Sequence, residues 1–260
     1  MDQIKKNIVL LLASNTTIND FESFVDNLKE IVESKYKPNS RFALYSYLRT
    51  RTKTKFGEYS PEYKYLKVIA MTPEERSEKK EINRVNVSTK NSDVKKFSEA
   101  EFKSLKSSII APNDLYSKIL YLQLVSGARS IEILSNKYIF SKSTKAGYIK
   151  QTTAKQEIKE IERPLLIPYK DFEILLNLVR NQIDQTKSNV DLNLKYASSL
   201  KNRIKKINNS LLTKAHDLRS IYVAFTHKLH PNKTITQHVI DILAHSGEGS
   251  TLNYSHYKLE

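Results

Sequence analysis

Apolar residues recur at helical spacing through the first third of the chain and predict a set of short helices there. The pattern predicts helices over 2–13, 18–34 and 40–53, and another from Pro61 into the charged run "TPEERSEKKEINR". In the second helix the apolar positions lie three or four residues apart, which places them on one face. These positions are Ile18, Phe21, Phe24, Val25, Leu28 and Ile31. We therefore expect a helical domain over residues 1–90.

The helical period is lost after this region and returns only near residue 98. The stretch "VNVSTKNSDVKK" is rich in Ser, Thr, Asn and Lys, which is typical of a linker, and we place the interdomain linker at residues 91–97. Ser98 and Glu101 have the spacing of a capping box, so a helix is expected to begin there. A second domain is then expected over residues 98–260.

Within this second domain the pattern changes twice. Pro112 precedes an apolar helix, "NDLYSKILYLQLVSG", and β-branched and aromatic residues over Tyr138–Pro168 predict a small antiparallel sheet. Helical spacing returns from Tyr169, and the last long helix is predicted to end at Gly247, with "STLNYSHY" forming another short helix. The predicted fold class is mostly α with a small antiparallel β-sheet.

The charge of the chain points to a polyanionic partner. There are 43 Lys and Arg residues against 28 Asp and Glu, which gives a formal charge of +15. The sequence has no apolar run of about 18 residues that could span a bilayer, so we expect no membrane partner. The chain has no cysteine, which excludes disulfides and thiolate metal sites.

One helix of the first domain interleaves aromatic and basic residues. Tyr45 and Tyr47 are followed by a series of alternating cations, which is typical of a helix that binds DNA phosphates. The cations are Arg49, Arg51, Lys53 and Lys55. The alternative for each of them is a solvated basic face whose aromatic neighbours pack inward.

Three motifs of the second domain could carry chemistry. "GARSIEIL" places Arg129 at a helix junction with Glu132 three residues later on the same face. "HDLRSIYVAF" places His216 and Arg219 together at a helix N-terminus, where an anion is favoured. Taken singly, each motif is better explained as an ordinary surface residue or a helix cap.

The third motif is the end of the chain, "DILAHSGEGSTLNYSHY", in which Tyr254 follows His245 by nine residues. The three motifs in this order resemble the catalytic domain of tyrosine recombinases, the phage-integrase-like enzymes that break and rejoin DNA. The resemblance covers about residues 98–260. It implies a helical core-binding domain followed by an α+β tyrosine-recombinase catalytic domain.

The resemblance also implies the roles of the residues. The phosphate clamp would be Arg129, with Glu132 supporting it, and Arg219, and further hydrogen bonds would come from His216 and His245. The hairpin lysine in "YIKQTTAKQE" would be Lys155, with Lys150 as the alternative. The nucleophile would be Tyr254, with Tyr257 as its rival.

The implied reaction is the attack of the tyrosine on a DNA phosphodiester to give a 3′-phosphotyrosine, which requires neither ATP nor a metal. No cofactor is therefore expected. His227 and His230 could be interpreted as half a metal site, but no carboxylate pair lies near them in the sequence. The chain departs from the family at Ala244, where a glycine is usual. It also ends at Glu260, without the C-terminal helix that many relatives donate to a neighbouring subunit.

The expected function is that of a site-specific recombinase or integrase of a virus or other mobile element. By resemblance it would act on double-stranded DNA as a homotetramer on two paired sites, with or without accessory DNA-bending proteins. It would work inside a prokaryotic cell or in the nucleus of an infected host. The alternatives are a telomere resolvase, although those tend to be larger, a type IB topoisomerase, and a catalytically silent DNA-binding protein.

Overall fold

The computed structural model describes residues 2–14, 17–36, 38–68, 73–153, 160–244 and 254–260. The helices in these ranges are α1 (Asp2–Ala13), α2 (Ile18–Lys35), α3 (Pro38–Phe56), α4 (Pro61–Val68), α5 (Pro73–Ser92), α6 (Glu99–Ile110), α7 (Leu115–Ser126), α8 (Ser130–Leu134), α9 (Tyr169–Arg180), α10 (Asn189–Ile207), α11 (Ala215–His227) and α12 (Ile235–Leu243). The strands are β1 (Lys95–Phe97), β2 (Phe140–Lys142), β3 (Tyr148–Thr152), β4 (Glu160–Pro164) and β5 (Tyr257–Leu259). None of the described helices combines the length and apolarity that crossing a membrane requires.

The chain divides into two compact units, Met1–Asn86 and Val87–Glu260. The first is helical, and its core forms where the apolar face of α2 packs with α1, α3 and α4. Thr17 begins α2 by accepting a hydrogen bond from the backbone of Asp20. The helices predicted for this part of the chain are confirmed, because amphipathic spacing and a local cap are sufficient to define them.

The residues predicted as a linker carry regular structure instead. Helix α5 continues to Ser92, and Lys95–Phe97 form strand β1. The interdomain linker over 91–97 stays a prediction, but the sequence did not indicate the strand within it, because the partner of β1 is β5, which lies about 160 residues further along the chain. Such a pairing leaves no local signature in the sequence.

Helix α7 is the centre of the second unit. It is buried on every side, begins at the N-cap Asp114 and ends at Gly127, which has a left-handed backbone with φ of 64°. Helices α6, α9, α10 and α11 pack around it. A helix that is apolar all round must lie inside a core, and this one carries the first predicted motif at its C-terminal end.

The predicted sheet over Tyr138–Pro168 is confirmed. Strands β2, β3 and β4 form an antiparallel sheet in that order, with Lys142 opposite Ile149 and Lys150 opposite Glu162. The predicted fold class, mostly α with a small antiparallel sheet, is therefore confirmed.

The structure describes the end of the chain only in part. Helix α12 ends at Leu243, and Ala244 after it adopts a left-handed backbone with φ of 52°. Gly247 and the first four residues of "STLNYSHY" lie outside the described residues, so the short helix expected there stays a prediction. Tyr257–Leu259 form the strand β5, which pairs in parallel with β1, with Lys95 opposite Tyr257.

Candidate active site

The short connection between α7 and α8 positions Arg129 and Glu132. Arg129 is the N-cap of α8, and its backbone N–H donates to Oε2 of Glu132 over 2.7 Å. Its guanidinium Nη1 donates to Oε1 of the same carboxylate over 2.7 Å. Glu132 is fully buried, whereas the side chain of Arg129 is 26% exposed. The carboxylate therefore holds an arginine whose other donors are accessible to an anion.

The C-terminal end of α8 is held by a second arginine, which no sequence motif indicated. The guanidinium of Arg180 on α9 donates to four backbone carbonyls that end this five-residue helix. They belong to Glu132, Ile133, Ser135 and Tyr138. A helix this short would not be stable alone, so Arg180 helps to fix the segment that carries Glu132.

Helix α11 brings His216 and Arg219 to the same place. The side chain of Arg219 is only 1% exposed, and its Nη1 lies 3.8 Å from Oε2 of Glu132. The same Nη1 donates to the carbonyl of Gly127 over 2.5 Å. Glu132 thus lies between the two predicted arginines, which are 90 positions apart in the sequence.

Tyr254 lies directly against this cluster. Its hydroxyl accepts a hydrogen bond from Nε of Arg219 over 3.2 Å. Its ring centroid lies 5.4 Å from that of His216. The side chain is 2% exposed and packs with Tyr222 and Val239. Five of the residues that the resemblance selected are therefore brought together, namely Arg129, Glu132, His216, Arg219 and Tyr254.

The rival tyrosine occupies a different environment. Tyr257 belongs to strand β5, and its hydroxyl donates to the carbonyl of Leu211 over 2.5 Å. Burial raises the pKa of Tyr257 far above its usual range. Because a nucleophilic tyrosine must lose its proton, these surroundings are unsuitable for the reaction, and the contacts of Tyr257 are those of a core residue.

Burial among cations determines the charge state of His216. Burial lowers its pKa to about 4, and the positive charges of Arg219 and Lys214 act in the same direction. Its imidazole is therefore neutral at pH 7. A neutral imidazole has one nitrogen that can accept a proton.

A third arginine reaches the site from the sheet, and the sequence motifs did not include it. Arg163 on β4 is 0% exposed, and its Nη1 donates to the carbonyl of Gly127 over 3.1 Å. Burial lowers its pKa to about 10 while Glu132 acts in the opposite direction, so it is still a cation at pH 7. The alternation of β4 could have indicated it, because Arg163 lies on the same face as the buried Ile161.

Of the remaining predicted residues of the second unit, the structure describes only one. Lys155 and His245 lie outside the described residues, so their roles stay predictions. Lys150, the alternative to Lys155, lies on β3 with its Nζ 3.6 Å from Glu160. Its side chain is 39% exposed.

The two histidines interpreted as half a metal site have other partners. Nε2 of His227 lies 2.7 Å from the carbonyl of Lys233, and Nε2 of His230 lies 2.9 Å from the hydroxyl of Tyr148. Within the described part of the chain no group of three or more His, Asp or Glu residues is placed to hold a metal ion.

The four basic residues of α3 lie in different environments. Arg49 and Lys53 line one cleft, together with Thr50 and Tyr63. Lys53 also donates to Glu58 over 2.6 Å. The other two have separate contacts: the guanidinium of Arg51 lies 5.4 Å from the ring centroid of Tyr47, and Lys55 donates to the carbonyl of Ser14. Their role in binding DNA stays a prediction.

Comparison with solved structures first defines the class of fold. The arrangement of the helices and of the three-stranded sheet is that of the tyrosine-recombinase-like fold. No protein-family model matches the sequence, and no curated protein matches it.

The solved structures that resemble it include those of protelomerase TelA. One, covalently complexed with substrate DNA, has a TM-score of 0.82 at 15% identity and covers 99% of this chain and 88% of that chain. Another, a variant of the same enzyme complexed with a DNA hairpin product, has a TM-score of 0.81 at 15% identity with the same coverage. At this identity the likeness establishes the fold.

Proposed function

We propose that this protein breaks and rejoins duplex DNA through a covalent bond between Tyr254 and a DNA phosphate. The observation that carries the proposal is the hydrogen bond between Tyr254 and Arg219 within a cluster that also holds Arg129 and Glu132. A phenol oxygen, two guanidinium groups and a neutral imidazole are the groups that a phosphoryl transfer to tyrosine needs.

In the proposed step the phenol oxygen of Tyr254 forms a bond to phosphorus as the bond from phosphorus to the 5′-oxygen breaks. The tyrosine proton leaves to a base, and the departing 5′-oxygen takes up a proton. Negative charge gathers on the phosphoryl oxygens, where the donors of Arg129 and Arg219 stabilise it. The covalent intermediate keeps the energy of the phosphodiester bond, so rejoining needs no ATP.

His216 is the acceptor for the proton of Tyr254 in this scheme. Its ring lies against that of Tyr254 and is neutral at pH 7. A pKa of about 4 makes it a weak base in the free protein, and the negative charge of a bound phosphate would raise that pKa. By resemblance, Lys155 would protonate the 5′-oxygen and His245 would donate another hydrogen bond to the phosphate.

The finer proposal is that the product is a pair of hairpin ends, as a telomere resolvase makes. The likeness to protelomerase TelA extends over 99% of this chain and supports it. This chain also covers 88% of the chain in that structure. Strand exchange between two sites by a homotetramer, as first expected, uses the same chemistry and is the alternative.

The first experiment tests the covalent step. Nicked suicide duplexes that carry palindromic sequences from around the protein's own coding region would be incubated with wild type, Tyr254→Phe and Tyr257→Phe. A denaturing gel would then detect protein attached to DNA. We expect an adduct that is lost in Tyr254→Phe and retained in Tyr257→Phe. DNA binding with no adduct on any of these sequences would instead favour a silent DNA-binding protein.

A second experiment distinguishes the two possible products, hairpin ends and strand-exchange recombinants. An intact duplex with the same palindrome would be treated with wild-type protein and run under denaturing conditions. With arms of unequal length on the two sides of the palindrome, hairpin ends give two strands, each twice the length of one arm and different from the uncut strand, whereas strand exchange gives recombinants only when two sites are present. Recombinants without hairpins would overturn the resolvase assignment and leave the covalent chemistry intact. Relaxed supercoils alone would indicate a topoisomerase.

A further inference from the structure

The guanidinium of Arg163 is the most unusual buried group outside the residues that the proposed reaction uses. It is 0% exposed, and among the described residues only its Nη1 has a hydrogen-bond partner. Its Nε and Nη2 have none there. A buried cation with unpaired donors is costly, so it is normally retained only where it has a function.

The place of Arg163 connects it to the clamp. Its Nη1 and the Nη1 of Arg219 both donate to the carbonyl of Gly127, over 3.1 and 2.5 Å. Gly127 comes two residues before Arg129, so one carbonyl joins the sheet and α11 to the segment that leads into α8. Arg163 therefore helps to set the orientation of the Gly127 carbonyl, which also accepts a hydrogen bond from Arg219.

The charges of the cluster do not balance. The groups that act electrostatically on Arg163 are the cations Arg129 and Arg219, the carboxylate of Glu132 and the phenol of Tyr222. Together with Arg163 itself, three guanidinium cations share one carboxylate in this part of the described structure. Such a cluster favours the entry of an anion that brings the missing negative charge.

We propose that Arg163 is a positioning residue of this active site, one that fixes the Gly127 carbonyl beneath Arg219 and strengthens the attraction of the cluster for the charge of the scissile phosphate. The proposal rests on the proposed function. Because Arg163 is fully buried, it acts through Arg219 and through its field and does not touch the DNA. Its contribution should therefore depend on the negative charge of the phosphate.

The test compares two substrates that differ only in that charge. Suicide duplexes of the sequence that gives an adduct would carry either the normal phosphate or a neutral methylphosphonate at the scissile position. Adduct rates would be measured for wild type, Arg163→Met, Arg163→Lys and Arg203→Met. Arg203 is the matched control, because it is an arginine of the same unit, 18% exposed, that pairs with Asp114.

We expect Arg163→Met to slow adduct formation on the phosphate about 10- to 100-fold, which is less than the about 10²- to 10³-fold typical of a donor that touches the reacting oxygen. On the methylphosphonate the loss should be far smaller, because the charge that Arg163 opposes is absent. Arg163→Lys should recover part of the rate, and Arg203→Met should stay within about twofold of wild type.

Thermal unfolding of the same variants separates a positioning role from a purely structural one. Methionine removes an incompletely paired buried cation and leaves the Gly127 carbonyl bonded to Arg219, so Arg163→Met should melt no lower than wild type. Equal rate losses on the two substrates together with a lower melting temperature would overturn the proposal. So would a wild-type rate in Arg163→Met. Absence of any adduct with wild type would instead reject the proposed function itself.

Discussion

The N-terminal ends of α8 and α11 use the same local arrangement for different purposes. In each helix the third residue is acidic and accepts the backbone N–H of the N-cap residue: Glu132 accepts from Arg129 over 2.7 Å, and Asp217 accepts from Lys214 over 3.0 Å. In both cases a carboxylate at the start of a helix also interacts favourably with the helix dipole.

The side chains that complete the two arrangements differ. Glu132 takes the guanidinium of Arg129 as its next partner, whereas Asp217 takes the hydroxyl and backbone N–H of Thr213. Arg129 is therefore held by its own helix. Arg219, on α11, is held by other elements, through the carbonyl of Gly127 and the hydroxyl of Tyr254. A local motif can thus position one arginine of the candidate site, while the other needs the assembled fold.

The largest difference in stability should lie between a variant that removes the first of these carboxylates and a variant that removes the second. Glu132→Gln leaves three arginines without a negative partner, and we expect a loss of about 3–5 kcal/mol in the free energy of unfolding. Asp217→Ala removes only a helix cap and should cost about 1–2 kcal/mol. Urea denaturation of both variants measures this. Equal losses would show that Glu132 acts only as a cap.

The next largest loss of stability should come from a substitution of Gly127, whose carbonyl connects the N-terminal ends of α8 and α11. A Cβ on Gly127 would lie 2.4 Å from the ring of Tyr222, and the residue has φ of 64°. Gly127→Ala therefore combines overpacking with backbone strain and should cost about 2–4 kcal/mol of unfolding free energy, measured by urea denaturation.

Gly147→Ala is the control for this effect. Gly147 has φ of 73°, but a Cβ added there would meet no atom within 4 Å, so only the strain of about 1–2 kcal/mol applies. If both alanine variants lost the same stability, the close packing of Tyr222 under Gly127 would be refuted. The adduct rate should also fall in Gly127→Ala alone, because Arg219 donates to its carbonyl.

The last effect appears only below neutral pH, and it concerns the N-terminal end of α11 alone. Burial holds the pKa of His216 at about 4, below the usual value of 6.5, so the unfolded chain binds its proton first as the pH falls. The stability present above pH 6.5 should therefore decrease between pH 6.5 and 4, by up to about 1.4 kcal/mol per pH unit for this histidine.

The check is the melting temperature of wild type and His216→Asn across that pH range. The pKa of the buried His238 is also lowered to about 4, so wild type and variant share its contribution and only their difference reports on His216. A difference that does not change between pH 6.5 and 4 would contradict the low pKa.

Local features of the fold and site could be predicted from the sequence because their partners lie within a few residues. The capping box of Ser98 and Glu101 is present as predicted, and Arg129 lies at a helix junction as predicted. The pairing of Arg129 with Glu132, three positions apart on one helical turn, belongs to the same group.

Features that depend on distant partners could not be predicted in this way. Strand β5 exists because β1 offers it an edge. The alternation of β4 places Arg163 on a buried face, but only the fold shows that its partner is the carbonyl of Gly127. Tyr254 and Tyr257 are both plausible nucleophiles until their hydrogen-bond partners are known.

The sequence by itself determined the helices, the small sheet, the excess of positive charge and the order of the reactive residues, since each depends on spacing and composition. Only the tertiary structure decided which of these residues meet. Glu132 lies between two arginines 90 positions apart, and Tyr254 reaches Arg219 from the end of the chain. The physical reason is that a buried charge is stable only beside its partners, and those partners are supplied by packing rather than by neighbours in the sequence.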